Sequence, residues 1–209
     1  YMGAVRATVI GATPTQLVVI VPAGANYQPI TVTTNNRTAA SATSFAITYP
    51  APDRTITDTS FVVVSNLPAG AYPTAVFVKD MNNDGKPDIL AVNSSGNSLS
   101  VFKNTGTDGL ISFSPKLDFA TGTGPKQLAV ADLDGDGLPD VVVSDFNSGG
   151  AAGISLFRNT SINGTISLSP KTDYPTGNGS LGVSVGDLDK DGRPDIIVSS
   201  GNSGYFSYF

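Results

Sequence analysis

A nine-residue acidic loop occurs three times in the chain and limits its fold more than any other feature. The copies are DMNNDGKPD at 80–88 (loop one), DLDGDGLPD at 132–140 (loop two) and DLDKDGRPD at 187–195 (loop three). Each follows D-x-[D/N]-x-D-G-x-P-D, with oxygen-bearing side chains at positions 1, 3, 5 and 9 and glycine at position 6. Three copies within 209 residues predict repeated structural modules.

Alternating oxygen side chains of this kind are typical of a site for a hard cation. An EF-hand loop also has oxygen ligands at positions 1, 3 and 5, a backbone carbonyl at 7, and a glycine at 6 where the chain turns sharply. It ends with a bidentate Glu at position 12, whereas the equivalent residues here are Ala91, Val143 and Val198, each within an apolar run. The loops are therefore predicted to close at position 9 and to lead into a strand.

The pattern predicts about three calcium ions, one in each loop. Side chains at positions 1, 3, 5 and 9 are the predicted ligands, and position 7 is predicted to contribute only its carbonyl, which leaves its side chain free to vary. The predicted residues are Asp80, Asn82, Asp84, Lys86 and Asp88; Asp132, Asp134, Asp136, Leu138 and Asp140; and Asp187, Asp189, Asp191, Arg193 and Asp195.

Asp-Gly turns that only join strands are the alternative interpretation of the loops, because Asp, Asn, Gly and Pro all favour turns. Two carboxylates about 5 Å apart repel by roughly 3 kcal/mol at an effective dielectric of 20. Each loop holds three or four of them, so a counter-ion is expected. Calcium is favoured over magnesium, which prefers fewer protein ligands and retains water.

Composition limits the other functions open to the chain. All 17 acidic residues are Asp and eleven lie in the loops, so the formal charge of -5 belongs mainly to the predicted metal sites. The 12 Lys and Arg residues are scattered, which gives no support to nucleic-acid binding. The chain has no His and no Cys, so no enzyme activity is expected. No apolar run approaches the roughly 18 residues of a membrane span, so no membrane insertion is expected.

The repeats extend beyond the loops. VFKNT at 101–105 returns as LFRNT at 156–160, and SPKLDF at 114–119 returns as SPKTDY at 169–174. Four short antiparallel strands per repeat predict a β-propeller blade, in which the loop joins the first strand to the second. In the first repeat these strands are predicted at 74–79, 89–92, 99–102 and 110–119, and the blades at about 72–119, 120–174 and 175–209.

With these motifs, residues 60–209 resemble the FG-GAP/VCBS repeat family, calcium-loop β-propellers that include the integrin α-subunit head and many bacterial surface proteins. The resemblance implies one blade per repeat and a calcium ion that is mainly architectural. Asn82 replaces an Asp of the family pattern, which implies a weaker site in loop one, and the FG and GAP signatures are degraded. The chain has no D-x-S-x-S motif, so integrin-like adhesion does not follow.

The first 50 residues have a different character, with almost no charge and no acidic loop. Their alternation of apolar and polar residues at 16–21 and 30–34 fits a half-buried sheet. Four ordered segments resemble the later strands of an IPT/TIG immunoglobulin-like domain, and a β-rich extension of the propeller is the alternative. The segments are 1–9, 14–24, 29–33 and 45–49, and residues 51–59 are the predicted linker. The predicted fold class is thus all-β, a partial Ig-like β-sandwich followed by three calcium-loop blades.

The spacing within the third repeat predicts that its blade is incomplete. Phe102 in the predicted third strand follows Asp80 by 22 residues, and the same count from Asp187 reaches Phe209. Because propellers typically have four to eight blades, the three blades are expected to belong to a longer ring, with residues 61–64 as an outer strand. Open blade edges then make self-association an expected hazard.

Other polar and aromatic residues are weaker candidates for a site. Asp118 and Asp173 occupy equivalent repeat positions, which favours a structural role over catalysis. Asp145, aligned with Asn93 and Ser199, is expected to supply a further calcium oxygen or nothing. The aromatic residues near the end are interpreted as strand-core side chains, with a sugar-stacking cluster as the alternative: Tyr205, Phe206, Tyr208 and Phe209.

We therefore expect a calcium-binding, non-enzymatic β-protein, part of an extracellular or cell-surface molecule of the adhesin type with an unknown protein or glycan ligand. Two other hypotheses stay open. One is a carbohydrate-binding or accessory module of an extracellular polysaccharide-degrading enzyme, which a hydrolase domain elsewhere in the gene would support. The other is a structural spacer, which failure to bind any glycan or host protein would support.

Overall fold

The described part of the chain is all-β. The computed structural model describes residues 8–13, 17–20, 29–34, 37–44, 65–107, 110–146, 153–177 and 179–209, and these form fifteen strands and no helix. The strands pair antiparallel throughout, as the short, turn-bounded apolar segments predict. The chain divides into two compact units, Tyr1–Asn66 and Leu67–Phe209.

The described residues of the first unit form two antiparallel pairs of strands. β1 (Thr8–Ala12) pairs with β2 (Leu17–Ile20), and β3 (Pro29–Thr34) pairs with β4 (Arg37–Ser44). β4 is absent from the strands predicted above because its Ala, Ser and Thr residues give little hydrophobic alternation. The predicted strand at 45–49, the linker at 51–59 and the outer strand at 61–64 lie outside the described residues.

The second unit contains three sheets in chain order, called blades one, two and three. Every strand pairs with its sequence neighbour, so each blade is an up-and-down meander. Blade one is β5 (Pro73–Lys79), β6 (Asp88–Asn93), β7 (Ser98–Phe102) and β8 (Leu117–Ala120); blade two is β9 (Pro125–Ala131), β10 (Asp140–Asp145), β11 (Gly153–Phe157) and β12 (Thr172–Pro175); blade three is β13 (Ser180–Gly186), β14 (Asp195–Ser200) and β15 (Tyr205–Tyr208).

The blades pack face to face, and blade two lies between the others. Val141 and Val143 of β10 belong to the apolar core shared with blade one, whereas Val142 belongs to the core shared with blade three. Successive side chains of a strand point to opposite faces, which explains why β10 is a continuous apolar run. The first strands are also neighbours, since β9 packs against β5 and β13. This is the arrangement of β-propeller blades.

The register confirms the predicted equivalence of the third-strand aromatics. Phe102 lies opposite Ile89 and Phe157 opposite Val141. Phe209 exchanges both backbone hydrogen bonds with Ile196, at 3.0 Å each. The same register aligns Asn93 and Asp145 with Ser200, so the expected equivalence of Ser199 is wrong by one residue. A slip of one residue reverses the face on which a side chain lies.

The predicted fourth strand of blade one, at 110–119, is too long. β8 is confined to Leu117–Ala120, and among the described residues the segment before it makes two isolated bridges, Asn104↔Phe113 and Thr107↔Leu110. Pro115 has no N–H to contribute to a ladder. Blade two has the same extension, with bridges Asn159↔Leu168 and Ile162↔Thr165.

The interpretation of the last aromatics as strand-core residues is also wrong. Phe206 and Tyr208 are 71% and 79% exposed, and Tyr205 and Phe209 are more than a third exposed. β15 is an edge strand, and within the described residues only Phe209 makes a ring contact, with Tyr174 at 6.1 Å between centroids.

Candidate metal centre

All three acidic loops are held in the same shape by their own hydrogen bonds. The carboxylate at position 1 accepts from the N–H of the glycine at position 6, at 2.7, 2.8 and 3.0 Å in loops one to three. The N–H of position 5 donates to the side-chain oxygen of position 3 at 3.0–3.2 Å. The N–H of position 7 donates to the carboxylate of position 5 at 2.7–3.0 Å. The loop shape therefore follows from the motif itself.

The glycine at position 6 is required by the backbone. Its φ is 84°, 86° and 87° in Gly85, Gly137 and Gly192, a region that side chains with a Cβ rarely adopt. Position 4 also has positive φ, with Asn83, Gly135 and Lys190 at 54°, 79° and 66°. Two left-handed residues fold the loop so that its oxygen side chains converge.

The structure brings carboxylates together in two of the loops. Asp132, Asp134 and Asp136 each offer an oxygen within 4.8 Å of the others, and so do Asp187, Asp189 and Asp195. Asp140 and Asp191 are not members of these groups. In loop one, Asn82 donates its side-chain N–H to Asp84 at 3.1 Å and its backbone N–H to Asp80 at 3.3 Å.

The residue at position 7 contacts the loop through its backbone. Lys86, Leu138 and Arg193 donate their N–H groups to the carboxylate at position 5, which fixes the peptide next to the predicted carbonyl ligand. The hard oxygen donors at positions 1, 3 and 5, together with this geometry, fit a calcium ion. With calcium bound, these oxygens would surround a divalent charge that offsets their mutual repulsion.

Position 9 has a structural role that the sequence did not indicate. The two carboxylate oxygens of Asp140 accept from the backbone N–H groups of Leu133 (2.9 Å) and Asn159 (2.7 Å), and Asp140 is only 2% exposed. Asp88 does the same in loop one, with Met81 and Asn104 at 2.9 and 2.8 Å. In loops one and two, the side chain at position 9 thus links the loop by hydrogen bonds to the segment that follows the third strand.

Burial affects the ionisation of these two anchors. Desolvation raises the pKa of both Asp88 and Asp140, and the backbone hydrogen bonds oppose that rise. In loop three, Asp195 accepts from the N–H of Leu188 at 2.7 Å and is also one of the gathered carboxylates. One residue of the motif can therefore serve both the anchor and the metal group.

Basic side chains at the end of the third strands contact the loops, a second feature that sequence reasoning missed. Arg158 pairs with Asp134 at 2.5 Å and Asp136 at 3.1 Å, and Lys103 lies 3.5 Å from Asp84. The hydrogen bond from Arg158 lowers the pKa of Asp134. The available signal was the alignment of VFKNT with LFRNT, which places a basic residue at the same point of both blades.

Loop one also bridges two blades. Nδ2 of Asn82 donates to the carbonyl of Gly164 in blade two at 2.7 Å, and Asn83 donates to the carbonyl of Gly137 in loop two at 3.0 Å. Asn159 of blade two donates to the carbonyl of Met81 at 2.7 Å. An Asp at position 82 has no N–H for the first of these bonds, which gives a physical reason for the departure from the acidic pattern.

We expect Asn82→Asp to tighten calcium binding by loop one and to weaken the protein without calcium. The variant gains a carboxylate ligand but loses the bond from Asn82 to the Gly164 carbonyl, which keeps Lys103 as its other donor. The cost is therefore that of one hydrogen bond, about 1 kcal/mol. Thermal melts in EDTA should therefore show a lower melting temperature than wild type, and calcium titration a lower Kd.

The matched control is Asp189→Asn, at position 3 of loop three. It makes the reverse change in a loop for which the described residues show no bridge to another blade, so it should weaken calcium binding with little effect on the EDTA melt. An EDTA melt of Asn82→Asp equal to that of wild type would show that the bridge does not stabilise the blades.

The fold and the loops define a class of protein: antiparallel β-propeller blades with an acidic loop between the first and second strands. A family model of the FG-GAP-like repeat matches residues 80–143 and 144–198, more than half of the chain, and the chain belongs to this family. A search of curated proteins found no match. In the described residues, no helix has the length and apolarity needed to cross a membrane.

Proposed function

We propose that the chain is a calcium-binding, non-enzymatic module of a secreted or cell-surface protein of the adhesin type, in which three calcium ions stabilise the blades. The observation that carries this proposal is the hydrogen-bonded frame repeated in all three loops, which gathers three carboxylates in each of loops two and three. FG-GAP repeats are typical of extracellular proteins, which supports the location.

Two acidic residues outside the loops, Asp118 and Asp173, support a role without catalysis. Asp118 accepts from Ser100 at 2.6 Å and pairs with Lys116, and Asp173 has the equivalent partners Ser155 and Lys171. Desolvation opposes ionisation of Asp118, but the hydrogen bonds from Lys116 and Ser100 outweigh it and lower its pKa. A carboxylate held ionised by a lysine is a poor general acid, so we infer that Asp118 stabilises the outer strands. The equivalent contacts of Asp173 support the same structural role.

Calorimetric titration of the chelated protein with calcium tests the proposal. About three sites are expected, and Asp136→Ala and Asp191→Ala should each remove one, because each deletes the position-5 carboxylate. Leu138→Ala is the control, since only the backbone of position 7 serves the loop. Full stoichiometry in Asp136→Ala, or no heat of binding in the wild type, would contradict the proposal.

The ligand is proposed to be a protein or a glycan. The exposed rings of Phe206 and Tyr208 favour glycan binding as the second candidate function, because residues two apart on a strand share a face and lie about 7 Å from each other. Aromatic rings of this kind also suit an accessory module of a polysaccharide-degrading enzyme. A glycan array probed with the protein tests this candidate, and the absence of binding to any glycan would remove it.

Two further proposals concern the surroundings of the blades. Residues 1–50 are proposed to be the later part of an IPT/TIG immunoglobulin-like domain, supported by the two antiparallel strand pairs described in the first unit. Self-association is proposed through the apolar outer side of blade one, where Val76 and Val78 are exposed. Sedimentation velocity over a range of concentrations tests the second, and a constant monomer would overturn it.

A further inference from the structure

A chain of hydrogen bonds crosses the outer strands of blade one. Nδ2 of Asn93, at the end of β6, donates to Oγ of Ser100 at 2.9 Å. Ser100 in turn donates to Oδ1 of Asp118 at 2.6 Å, and Asp118 pairs with Lys116. Each donor in this chain therefore meets an acceptor, and every hydrogen bond is donated in the direction from Asn93 to Asp118.

Blade two has the same chain with one substitution. Asp145 stands where blade one has Asn93, and Ser155, Asp173 and Lys171 follow as before. Oγ of Ser155 lies 2.6 Å from Oδ2 of Asp145 and 3.0 Å from Oδ1 of Asp173, and it accepts from the N–H of Gly122 at 3.0 Å. Asp145 is 5% exposed and Ser155 is fully buried. The substitution therefore places a second carboxylic group beside one serine.

The number of protons available at Ser155 determines the protonation state of the two carboxylic groups beside it. Ser155 has a single hydroxyl proton but faces two carboxylate oxygens at hydrogen-bonding distance. With both carboxylates ionised, one of these contacts joins two acceptors in a buried site, which is unfavourable. Oδ1 of Asp145 is also buried and has no hydrogen-bond partner among the described residues. One additional proton on Asp145 removes the conflict.

We propose that Asp145 carries a proton in the folded protein under mildly acidic conditions, donates it from Oδ2 to Ser155, and thereby makes blade two more stable in acid. The chain then runs from Asp145 to Ser155 to Asp173 and reproduces the direction seen in blade one. Ser155 donates once and accepts twice, from Asp145 and Gly122, which uses its full hydrogen-bonding capacity.

The charges around Asp145 agree with this assignment. Burial raises its pKa to about 6 and the facing carboxylate of Asp173 adds to the rise, while Ser155, the backbone of Gly122 and Lys171 oppose it. Lys126 on the adjacent β9 instead donates to Ser94 and lies over the ring of Phe146. The folded pKa exceeds the ordinary value of 3.8. The stabilisation is therefore complete below that value and is lost as the pH rises through about 6.

The test compares wild type with Asp145→Asn by urea unfolding in EDTA between pH 4.5 and 7.5. Asn at this position restores the donor found in blade one, so the variant should fold. Its folding equilibrium constant relative to wild type should rise about twentyfold across this range, because only wild type loses the bound proton. A ratio that does not change with pH would overturn the proposal.

Three further measurements test the same proposal. A ¹³C carboxyl titration of wild type should show one resonance, absent in Asp145→Asn, with a midpoint near pH 6, whereas a midpoint near 4 would contradict the proposal. Asn93→Asp should install the same acid dependence in blade one. If added calcium or sodium at pH 7.5 removes the difference between wild type and Asp145→Asn, the site holds a cation rather than a proton, and the proposal fails.

Discussion

Removal of calcium with EDTA is expected to lower the melting temperature of the protein by about 15 °C relative to a sample in about 2 mM calcium. Without the ion, the three gathered carboxylates in each of loops two and three repel one another, and so do Asp80 and Asp84 in loop one, which opposes the closed shape. Sites with a Kd near 0.1 mM, as in extracellular modules, gain roughly 1.8 kcal/mol each at this concentration, or about 5 kcal/mol for three.

Magnesium at the same concentration provides the control for this experiment. Magnesium supplies the same charge as calcium, but it retains bound water and demands a stricter geometry. It should therefore recover only a small part of the melting temperature that is lost in EDTA. Differential scanning calorimetry measures both effects. A melting temperature that does not depend on calcium would show that the three loops are only turns.

Asp140→Ala is expected to destabilise the protein by about 3 kcal/mol even in EDTA, a loss of about 10 °C in melting temperature. The substitution removes the acceptor for two N–H groups, those of Leu133 and Asn159, in a buried position. This effect is separate from the metal, because the anchor joins the loop to the end of the third strand whether or not calcium is bound.

Asp136→Ala is the matched variant in the same loop. Asp136 is a member of the gathered carboxylates, and its hydrogen bonds and its ion pair with Arg158 are exposed. An exposed ion pair contributes about 0–1 kcal/mol, so the loss of Asp136 should cost little in EDTA and much more when calcium is present. Urea unfolding in EDTA and in calcium separates the two roles. Equal stability of Asp140→Ala and Asp136→Ala in EDTA would show that position 9 is not an anchor.

Local pattern was sufficient to predict the repeated part of the fold. The loops, the strands that follow them and the alignment of Phe209 with Phe102 depend on spacing within one repeat, and the backbone register confirms them. Turn residues and short apolar runs act over a few residues, so they can be recognised in the sequence. The gathered carboxylates of loops two and three follow from the same local rules.

Contacts between repeats could not be predicted in this way. Asn82 and Gly164 are 82 positions apart, and the sequence does not indicate that blade two places the Gly164 carbonyl beside loop one. Arg158 and Asp134 lie within the same blade, but they are 24 residues apart, so a pattern that acts over a few residues does not indicate their contact either. Where hydrophobic alternation is weak, as in β4, or where proline interrupts a segment, as before β8, the strand limits depend on pairing with neighbours rather than on local preference.

The most direct test of calcium binding by the three loops is a crystal structure of the protein grown with calcium and measured for anomalous scattering. We predict one anomalous peak in each loop, coordinated by the side chains of positions 1, 3 and 5 and the carbonyl of position 7 at about 2.3–2.6 Å. Loops that keep the present geometry without any anomalous peak at millimolar calcium would contradict the assignment of these loops as calcium sites.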